Sequence, residues 1–409
     1  MDKIAIIKES RVDDKRTPLT PRHINALLTR FPNLSITVQP SKHRCFLDQE
    51  YKDCGAIISE DLRTSDLILG VKEIEPHLLI PSKSYMFFSH TTKIQPDNSA
   101  VAQGTPGMDK KELIKEIIKR KITLIDYENI RDDLSRRYLG FGRFAGIVGC
   151  YNSLNLYLET DGQSPMPRAY ELNSYKKLKE NIKKRNFANV RIIITGDGRV
   201  ARGSLEFIES ANIQQVTPEE FLENNNTSAV YCNLPTSKYV SNKEDNDFDL
   251  QHFINFPEKY ISVLDKYLHT TNMLITSHYW DPKSPRLFKK NDIAKYTKLK
   301  VIGDITCDIN GSIPTTLKST TIKNPYFYLN PITFEEVEKN NDSLAIMAVD
   351  NLPSELPRDS STEFGDGIVN EVLPFMIEKD DGRILNATIT HNGQFLNKYQ
   401  YLLNYINSQ

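Results

Sequence analysis

The sequence predicts an α/β protein built from two parallel β-sheets. Short β-branched and apolar runs alternate with stretches that carry apolar residues at helical spacing, beginning at residue 3. A second series of this kind opens near residue 190, after the Pro-, Gly- and Ser-rich segment "DGQSPMPRAYE". The 409 residues are enough for two domains or so. We therefore expect two domains, each with a parallel sheet and covering helices.

Composition argues against several classes of protein. The formal net charge is −1, so no global basic field would attract nucleic acid or anionic lipid. The Lys-rich stretches 110–121 and 176–185 interleave Leu or Ile at helical spacing, as solvated helix faces do. The N-terminus lacks a signal-peptide pattern, and no apolar run reaches about 18 residues, so we expect a cytoplasmic protein without membrane or nucleic-acid partners. The five cysteines lack C-x₂-C spacing, so we expect neither disulfides nor a metal site.

The first series reads as a βαβ opening followed by further strands. "KIAIIKES" is a strand with a charged end, "LTPRHINALLTRF" a helix behind a Thr-Pro start, and "SITVQP" a strand. After "AIISEDL", the strands "ILGVKEIEP", "MFFSHTTKIQP" and "ITLIDYENI" continue the sheet, with the helix "DKKELIKEIIKRK" before the last strand. This makes a parallel sheet of about five strands by residue 130.

Two neighbouring strands of this series end in titratable side chains. Lys72 and Glu73 follow the first strand, and His90 and Lys93 follow the second. Because open α/β sheets bind ligands at the carboxyl ends of their strands, we expect a functional site there.

The second series contains a glycine turn between a strand and a helix. "RFAGIVGCYNSLNLYLE" predicts a long helix, and "NVRIIITGDGRVARGSLEFI" then runs from a β-branched strand through Gly196 and Gly198 into a helix. This context is typical of a dinucleotide fingerprint, with Ala201 or Gly203 as the third small residue, although an ordinary βα turn is the alternative. The runs "SAVYCNL", "NMLITSHYW" and "LKVIGDITCDI" complete a second sheet, and "ATITHNG" precedes a terminal helix.

The acid that usually bonds the ribose 2′-hydroxyl is missing from this pattern. The strand after the fingerprint, "IQQVT", ends in Val216 and Thr217. Arg199 could instead meet a 2′-phosphate. The choice between NAD and NADP therefore stays open at this point.

Several ordered segments resemble one known superfamily. "KESRVDDKRTPLTP" resembles the opening shared by alanine dehydrogenase, the transhydrogenase N-terminal segment and lysine-forming saccharopine dehydrogenase. Five segments resemble the lysine–2-oxoglutarate reductase and saccharopine dehydrogenase branch: "DLILGVKEIEPHLLIPSKSYMFFSHTTKIQP", "LIDYENIRDDLSRRYLGFGRFAGIVG", "YWDPKSPRLF", "GDITCDINGSI" and "AVDNLPSELPRDSSTEFGD". The resemblance runs from residue 3 to about residue 378.

The resemblance implies two Rossmann-like domains with an interdomain cleft. Residues 1–140 with 357–409 would form a discontinuous substrate domain, and residues 141–356 the dinucleotide domain. It implies interconversion of saccharopine with lysine and 2-oxoglutarate, with NAD or NADP as the cofactor. No segment resembles the glutamate-forming saccharopine dehydrogenase domain, so we expect another protein to make any onward step.

Imine chemistry near neutral pH needs groups that exchange protons. Lys72 and His90 match the acid–base positions of the resembled family, and a buried Lys or an ordinary His has a suitable pKa. The resemblance assigns Glu73 and Glu128 as supporting carboxylates and Asp350 as an active-site acid. A turn cap before Leu352 and Pro353 is the plainer alternative for Asp350.

The three carboxylates of saccharopine require fixed cations, and Arg binds carboxylate through two parallel hydrogen bonds. Arg16 and Arg137 lie in matching motifs, although Arg136 adjoins the latter and either could be a surface ion pair. The resemblance adds Gln95 to the substrate site. It assigns the cofactor to a further set of residues: Gly196, Gly198, Arg199, Val200, Ala201, Thr217 and Asp304.

Two alternatives remain beside this prediction. Alanine dehydrogenase uses a comparable Lys and His pair, so a small amino acid is an alternative substrate. A cofactor-binding regulator without turnover is an alternative of another class, motivated by the missing ribose acid. Retention of Lys72 and His90 argues against the regulator.

Overall fold

The computed structural model describes residues 1–93, 109–223, 225 and 227–407. The chain divides into two compact units. Unit 1 comprises Met1–Phe141 with Pro357–Gln409, and unit 2 comprises Gly142–Leu356. These boundaries differ by one residue from the division expected from the sequence, and the roles assigned to the two domains stay predictions.

The strands are mostly short. In chain order they are β1 (Lys3–Ile6), β2 (Ser35–Val38), β3 (Ile57–Ile58), β4 (Leu67–Leu69), β5 (Ser84–Phe87), β6 (Thr123–Asp126), β7 (Arg191–Thr195), β8 (Gln214–Gln215), β9 (Val230–Leu234), β10 (Val240–Asn242), β11 (Tyr260–Ser262), β12 (Met273–Thr276), β13 (Val301–Asp304), β14 (Tyr326–Leu329), β15 (Glu336–Val337), β16 (Leu344–Met347), β17 (Thr388–His391) and β18 (Gln394–Phe395).

The α-helices lie between and after these strands. They are α1 (Pro21–Arg30), α2 (Asp48–Asp53), α3 (Lys110–Lys119), α4 (Gly142–Thr160), α5 (Ala169–Leu172), α6 (Tyr175–Ile182), α7 (Arg199–Ile208), α8 (Pro218–Glu223), α9 (Thr236–Tyr239), α10 (Leu250–Asn255), α11 (Asp265–Leu268), α12 (Pro357–Glu371), α13 (Leu373–Ile377), α14 (Arg383–Ala387) and α15 (Tyr401–Asn407). In the part of the chain that the structure describes, no helix combines the length and the apolar character that a membrane span needs.

Unit 1 contains a sheet with the strand order β18-β17-β6-β5-β4-β1-β2-β3. Strands β1 to β6 are mutually parallel, and β17 and β18 extend the sheet in antiparallel pairing beside β6. The parallel strands β1, β4, β5 and β6 are almost wholly buried, as their continuous apolar runs predict. The parallel part has one strand more than the five expected from the sequence.

Unit 2 contains a sheet with the order β15-β14-β16-β13-β12-β7-β9-β8, and β10 with β11 forms a separate antiparallel pair. Strand β7 pairs in parallel with β9 on one side and with β12 on the other. Strand β8 pairs with β9 and not with β7. The strand that follows the glycine turn in the chain, β8, is therefore not the neighbour of β7 in the sheet.

Helices α4 and α7 of unit 2 pack at very close range. A Cβ on Gly146 would lie 1.9 Å from the Val200 carbonyl oxygen, and a Cβ on Gly203 would lie 2.0 Å from the Arg143 carbonyl oxygen. Glycine is therefore required at both positions, because any side chain would overlap backbone atoms. Of the two candidates for the third small residue, Gly203 sets this helix contact, while Ala201 is fully buried.

We predict that Gly203→Ala destabilises unit 2, since its methyl group would overlap the Arg143 carbonyl and force the two helices apart. The expected loss is about 1–3 kcal/mol of the free energy of unfolding, the usual size of an overpacking defect. Gly198→Ala is the control, because a Cβ there meets nothing within 4 Å. Urea unfolding followed by the fluorescence of Trp280, the one tryptophan and a residue of unit 2, measures both. Equal midpoints for the two variants would contradict the close packing.

Candidate functional site

Titratable side chains collect at one edge of the unit 1 sheet. Glu9, Lys72 and His90 each lie three residues beyond the end of a strand, β1, β4 and β5 respectively. Asp126 is the last residue of β6. The four strands are adjacent and parallel, so their carboxyl ends meet at the same edge. Of these four residues, the sequence predicted Lys72 and His90 to be functional.

His90 is paired with Glu73 in a buried position. The His90 Nδ1 lies 2.5 Å from the Glu73 Oε1, and the two side chains are 8% and 1% exposed. If Glu73 is ionised, a protonated Nδ1 donates a hydrogen bond to its carboxylate, which leaves Nε2 for the acid–base role predicted from the sequence. His90 has a positive φ of 52°, and its ring stacks on Phe88 at 6.3 Å. The turn geometry and the ring contact both fix the imidazole.

The turn that carries Lys72 is held by a carboxylate that the sequence analysis did not select. The two carboxylate oxygens of Glu9 accept hydrogen bonds from the backbone N–H groups of Val71 and Lys72, at 2.7 and 2.8 Å. Burial, together with the charge of Asp14, raises the pKa of Glu9 to about 8, against the lowering effect of these two N–H groups. Glu9 thus ties the end of β1 to the end of β4.

Arg16 is buried, and its guanidinium pairs with Asp14. Its Nε and one terminal nitrogen donate to the two oxygens of Asp14 at 2.9 and 2.5 Å, and the guanidinium lies 4.2 Å from the Phe141 ring centroid. Burial alone would raise the pKa of Asp14. The charge and hydrogen bonds of Arg16, with the charge of Lys72, hold that pKa well below its usual range. Binding of a substrate carboxylate by Arg16 stays a prediction.

Asp126 accepts hydrogen bonds from two segments of the predicted site, one at Ser89 and one at Glu128. Its carboxylate accepts hydrogen bonds from the hydroxyl and the N–H of Ser89 at 2.5 and 3.1 Å, and from the N–H of Glu128 at 2.8 Å. Burial and the charge of Glu128 raise the pKa of Asp126 to about 7. Because Ser89 immediately precedes His90, Asp126 fixes the chain at the catalytic candidate.

The two neighbouring arginines of the sequence have different surroundings. Arg137 lies with a terminal nitrogen 3.2 Å from Glu128 and is 40% exposed. Arg136 is 72% exposed and pairs with Asp132 on the surface. The structure thus brings Arg137, and not Arg136, to a carboxylate of the predicted site.

The glycine turn of unit 2 has the geometry of a phosphate-binding turn. Gly196 has a φ of 98°, and a Cβ there would lie 2.8 Å from the Ser277 carbonyl oxygen. Gly198 directly precedes α7, and a Cβ there meets nothing within 4 Å, so the backbone is open to a ligand. The side-chain amide of Asn233 donates to the carbonyls of Ile194 and Gly196 at 3.2 and 2.9 Å, which fixes the turn.

His278 was missed by the sequence analysis and lies against this turn. Its Nδ1 is 2.7 Å from the Thr195 hydroxyl, and its Cα would lie 2.9 Å from a Cβ on Gly196. Its Nε2 is buried and has no hydrogen-bond partner in the described part of the chain. Burial lowers the pKa of His278 to about 4, so the imidazole is neutral. Its position directly after a buried strand is the signal that could have found it.

The remaining cofactor candidates occupy varied positions. Arg199 is exposed at the first residue of α7, and Val200 is half-buried. Thr217 is exposed at the start of α8, where its N–H donates to Glu220 at 2.8 Å and its hydroxyl accepts from the Glu220 N–H at 3.2 Å. It therefore caps α8 just after β8. Strand β9 lies between β8 and β7 in the sheet.

Asp304 is a buried junction between strand ends. Its carboxylate accepts from the hydroxyls of Thr276, Thr306 and Thr316 at 2.7, 2.6 and 2.6 Å, and burial raises its pKa. This arrangement favours an organising role for Asp304, and its contact with a cofactor stays a prediction.

Two further candidates for the predicted substrate site are Asp350 and Gln95. Asp350 belongs to unit 2, half-buried in the turn after β16, where its N–H donates to the Thr320 carbonyl at 3.1 Å. Asn351, which follows it, has a φ of 76° and caps a short 3₁₀ helix. Gln95 lies outside the described residues.

The fold and these residues define an α/β protein with a dinucleotide-type glycine turn. Two family models match the chain: the alanine dehydrogenase/PNT N-terminal domain at residues 5–148 and the alanine dehydrogenase/PNT C-terminal domain at residues 238–398. The chain belongs to the alanine dehydrogenase/PNT family, as the sequence motifs predicted.

Curated relatives point to one branch of this family. The α-aminoadipic semialdehyde synthase of Arabidopsis thaliana is 31% identical and that of Bos taurus, named as mitochondrial, 28% identical, each over 95% of this chain. The chain spans 40% and 46% of their lengths. Saccharopine dehydrogenase [NAD(+), L-lysine-forming] of Emericella nidulans is 24% identical over 94% of both chains. The cytoplasmic location stays a prediction.

Two solved structures share the fold. L-alanine dehydrogenase aligns with a TM-score of 0.63 at 11% identity, covering 99% of both chains. A transhydrogenase from Sinorhizobium meliloti aligns with a TM-score of 0.58 at 12% identity, covering 97% of this chain and all of the other. The predicted α/β class with two Rossmann-like domains is confirmed.

We predict that Asp126 makes the protein less stable as the pH rises. Folding raises the pKa of this carboxyl from 3.8 to about 7, so the folded state binds the proton more tightly than the unfolded state. Its stabilising contribution is present below about pH 4 and is lost as the pH rises to about 7, with a slope of at most about 1.4 kcal/mol per pH unit. Asp126→Asn cannot ionise, so its stability relative to wild type should increase over that range.

Urea midpoints by far-UV circular dichroism between about pH 5 and pH 8 measure this difference. Asp132→Asn is the control, because the pKa of Asp132 lies below the ordinary value, so this carboxylate stays ionised throughout. If the difference in stability between Asp126→Asn and wild type did not change with pH, the raised pKa of Asp126 would be contradicted. A pH-independent offset on which a pH-dependent rise is superimposed reports the lost hydrogen bonds to Ser89 and Glu128.

Proposed function

We propose that this protein interconverts saccharopine with lysine and 2-oxoglutarate, with NAD or NADP as the cofactor. The observation that carries the proposal is the pairing of His90 with Glu73 beside the turn of Lys72, in a chain similar over 95% of its length to aminoadipic semialdehyde synthases. The reaction needs two proton-exchanging groups at one position, and adjacent strand ends supply them.

The glycine turn of unit 2 fits a dinucleotide. The open backbone at Gly198 precedes the ten-residue helix α7, so its N–H groups and dipole suit a pyrophosphate. The neutral His278 has a buried Nε2 that could bond a polar group of the cofactor. When bound, the nicotinamide would accept the hydride from the carbon beside the secondary amine of saccharopine.

Lys72 and His90 would then handle the protons. One of them takes the proton from the secondary amine before the hydride leaves, and one activates the water that adds to the resulting imine carbon. Collapse of that adduct breaks the carbon–nitrogen bond and returns a proton to the lysine amine. The Glu73 carboxylate orients His90 and stabilises its protonated form, because the pair is buried and hydrogen-bonded.

Arg16 and Arg137 are the proposed cations for the substrate carboxylates. Arg16 is held rigidly by Asp14 and Phe141, so little conformational entropy is lost when a carboxylate binds to its outer edge. Arg137 is half-exposed beside Glu128, and Glu128 would balance its charge until substrate arrives. At each position, arginine binds a planar carboxylate better than lysine would, because its guanidinium donates two parallel hydrogen bonds.

An absorbance assay at about 340 nm, where reduced nicotinamide absorbs, tests the proposal. NADH and NADPH are each supplied with lysine plus 2-oxoglutarate, and separately with pyruvate plus ammonia. Oxidation that requires lysine and 2-oxoglutarate together supports the proposal. Turnover only with pyruvate and ammonia would identify an alanine dehydrogenase-like enzyme, and dinucleotide binding without any turnover would identify a regulator.

We predict that Lys72→Met and His90→Asn each lower turnover about 10²-fold or more, the usual size of a general acid–base contribution. Asn is chosen for position 90 because it tolerates the positive φ found there. Dinucleotide affinity should be unchanged, and both variants should lose ionisations from the pH profile of the wild type, since coupled groups titrate as a pair.

The chain offers a matched control for each variant. His77 pairs with Glu75 at 3.4 Å in an exposed position, so His77→Asn removes a similar pair outside the proposed site. Lys8 pairs with Glu60 on the surface directly after β1, so Lys8→Met removes an ordinary lysine. If the Lys72 and His90 variants behaved like these controls, both residues would be structural.

A further inference from the structure

Carboxylates join the neighbouring strands β1 and β4 at both ends of their parallel pairing. At the amino ends, Asp66 directly precedes β4 and accepts hydrogen bonds from the N–H groups of Asp2 and Lys3, each at 3.0 Å. At the carboxyl ends, Glu9 accepts from two consecutive N–H groups at 2.7 and 2.8 Å, the second of them that of Lys72. The two acids thus do the same work for the backbone at opposite edges of one sheet.

The two acids differ in their electrostatic surroundings. Burial alone would raise the pKa of Asp66, but its two N–H bonds hold that pKa below the ordinary value, so Asp66 stays ionised near neutral pH. Burial and the charge of Asp14 raise the pKa of Glu9 to about 8, against the opposing effects of its N–H bonds and of Arg16. Glu9 therefore changes its charge near neutral pH, and Asp66 does not.

The hydrogen bonds of Glu9 depend on that charge. Each of its two carboxylate oxygens accepts from one N–H group, and the side chain makes no other hydrogen bond and no ion pair with the described part of the chain. Both bonds are charge-assisted when the carboxylate is ionised. A proton on Glu9 removes the charge and converts one oxygen into a hydroxyl, which is a donor facing a donor. The turn of Lys72 is then held less firmly.

The groups around Glu9 do not compensate for this change. Asp14 and Arg16 follow β1, Lys72 lies in the turn itself, and Tyr127 follows β6. The pKa of Asp14 lies well below its usual range, although burial opposes this, because of the charge and hydrogen bonds of Arg16. Burial raises the pKa of Tyr127 well above its ordinary value. Neither Asp14 nor Tyr127 therefore changes its charge when Glu9 gains or loses a proton near neutral pH.

We propose, building on the function proposed above, that Glu9 is a positioning residue for Lys72: its ionised carboxylate fixes the turn from which the amine exchanges protons, and its protonation loosens that turn. Turnover should then fall as the pH decreases through the pKa of Glu9, about 8, because the protonated form predominates below it. Glu9 itself touches neither substrate nor cofactor in this role, and it acts through the backbone N–H groups alone.

The variant Glu9→Gln tests the proposal, because it cannot ionise and sets an amide N–H₂ group against one of the two backbone N–H groups. We predict that kcat falls about tenfold, as expected for the loss of one hydrogen bond to a charged group. The Kd for NADH or NADPH should change less than about twofold. The pH profile of kcat should lack the decline that the wild type shows below about pH 8.

Asp66→Asn is the matched control, since it removes the charge from the carboxylate that joins the same two strands at their amino ends. It should leave kcat and the pH profile unchanged. Hydrogen–deuterium exchange at the amides of Val71 and Lys72, measured by NMR at one pH, should be faster in Glu9→Gln than in the wild type or in Asp66→Asn. Glu9→Asp keeps an ionisable carboxyl but is one methylene shorter, so it should lower kcat and retain an acidic decline.

Three results would overturn the proposal. They are wild-type kcat and pH dependence in Glu9→Gln, unchanged exchange at the two amides, and an equal loss of kcat in Asp66→Asn, which would show a general effect on the strand pair. If Glu9→Gln did not fold, full kcat in Glu9→Asp would decide against the proposal in the same way. If the wild type oxidised no dinucleotide with lysine and 2-oxoglutarate, the proposed function would fail, whereas amide exchange would still decide whether Glu9 controls the turn.

Discussion

The parallel register of β1, β4, β5 and β6 is the constraint on which the unit 1 site depends. Because these strands run in the same direction side by side, their carboxyl ends open at one edge of the sheet. The chain leaves the sheet there in tight turns whose N–H groups have no strand partner. Buried carboxylates accept from those groups: Glu9 holds the turn of Lys72, and Asp126 holds Ser89 beside His90. The backbone requirement of the turns thus places acids next to the acid–base candidates.

This concentration of acids has an electrostatic consequence. Asp14 stays ionised because Arg16 and Lys72 lie close to it, whereas Glu9 and Asp126 have raised pKa values because they are buried beside another carboxylate. The carboxyl groups at this edge of the unit 1 sheet therefore differ in charge near neutral pH. Such separation of pKa values is what a site for stepwise proton transfer needs.

Unit 2 combines a glycine turn between β7 and α7 with a strand order in which β9, and not β8, borders β7. The glycine turn keeps its geometry, with Gly196 in a left-handed conformation and Gly198 open in front of α7. Its two flanks come from β9 and β12, which contribute Asn233 and His278. The geometry of the glycine turn is local to one βα junction, whereas the strand that lies next to that turn is set by pairing between segments distant in the chain.

The sequence by itself determined what depends on local pattern. Apolar runs and a glycine turn predicted the α/β class, and titratable residues after two neighbouring strands predicted a site with Lys72 and His90, because strand burial and turn chemistry act over a few residues. The family was predicted by motifs that resemble a known superfamily. The tertiary structure alone decided which side chains meet. The carboxylates of Glu9 and Asp126, the choice of Arg137 over Arg136, and the position of β9 beside β7 all rest on contacts between segments distant in the chain, and strand pairing across a sheet leaves no periodic signal within either strand.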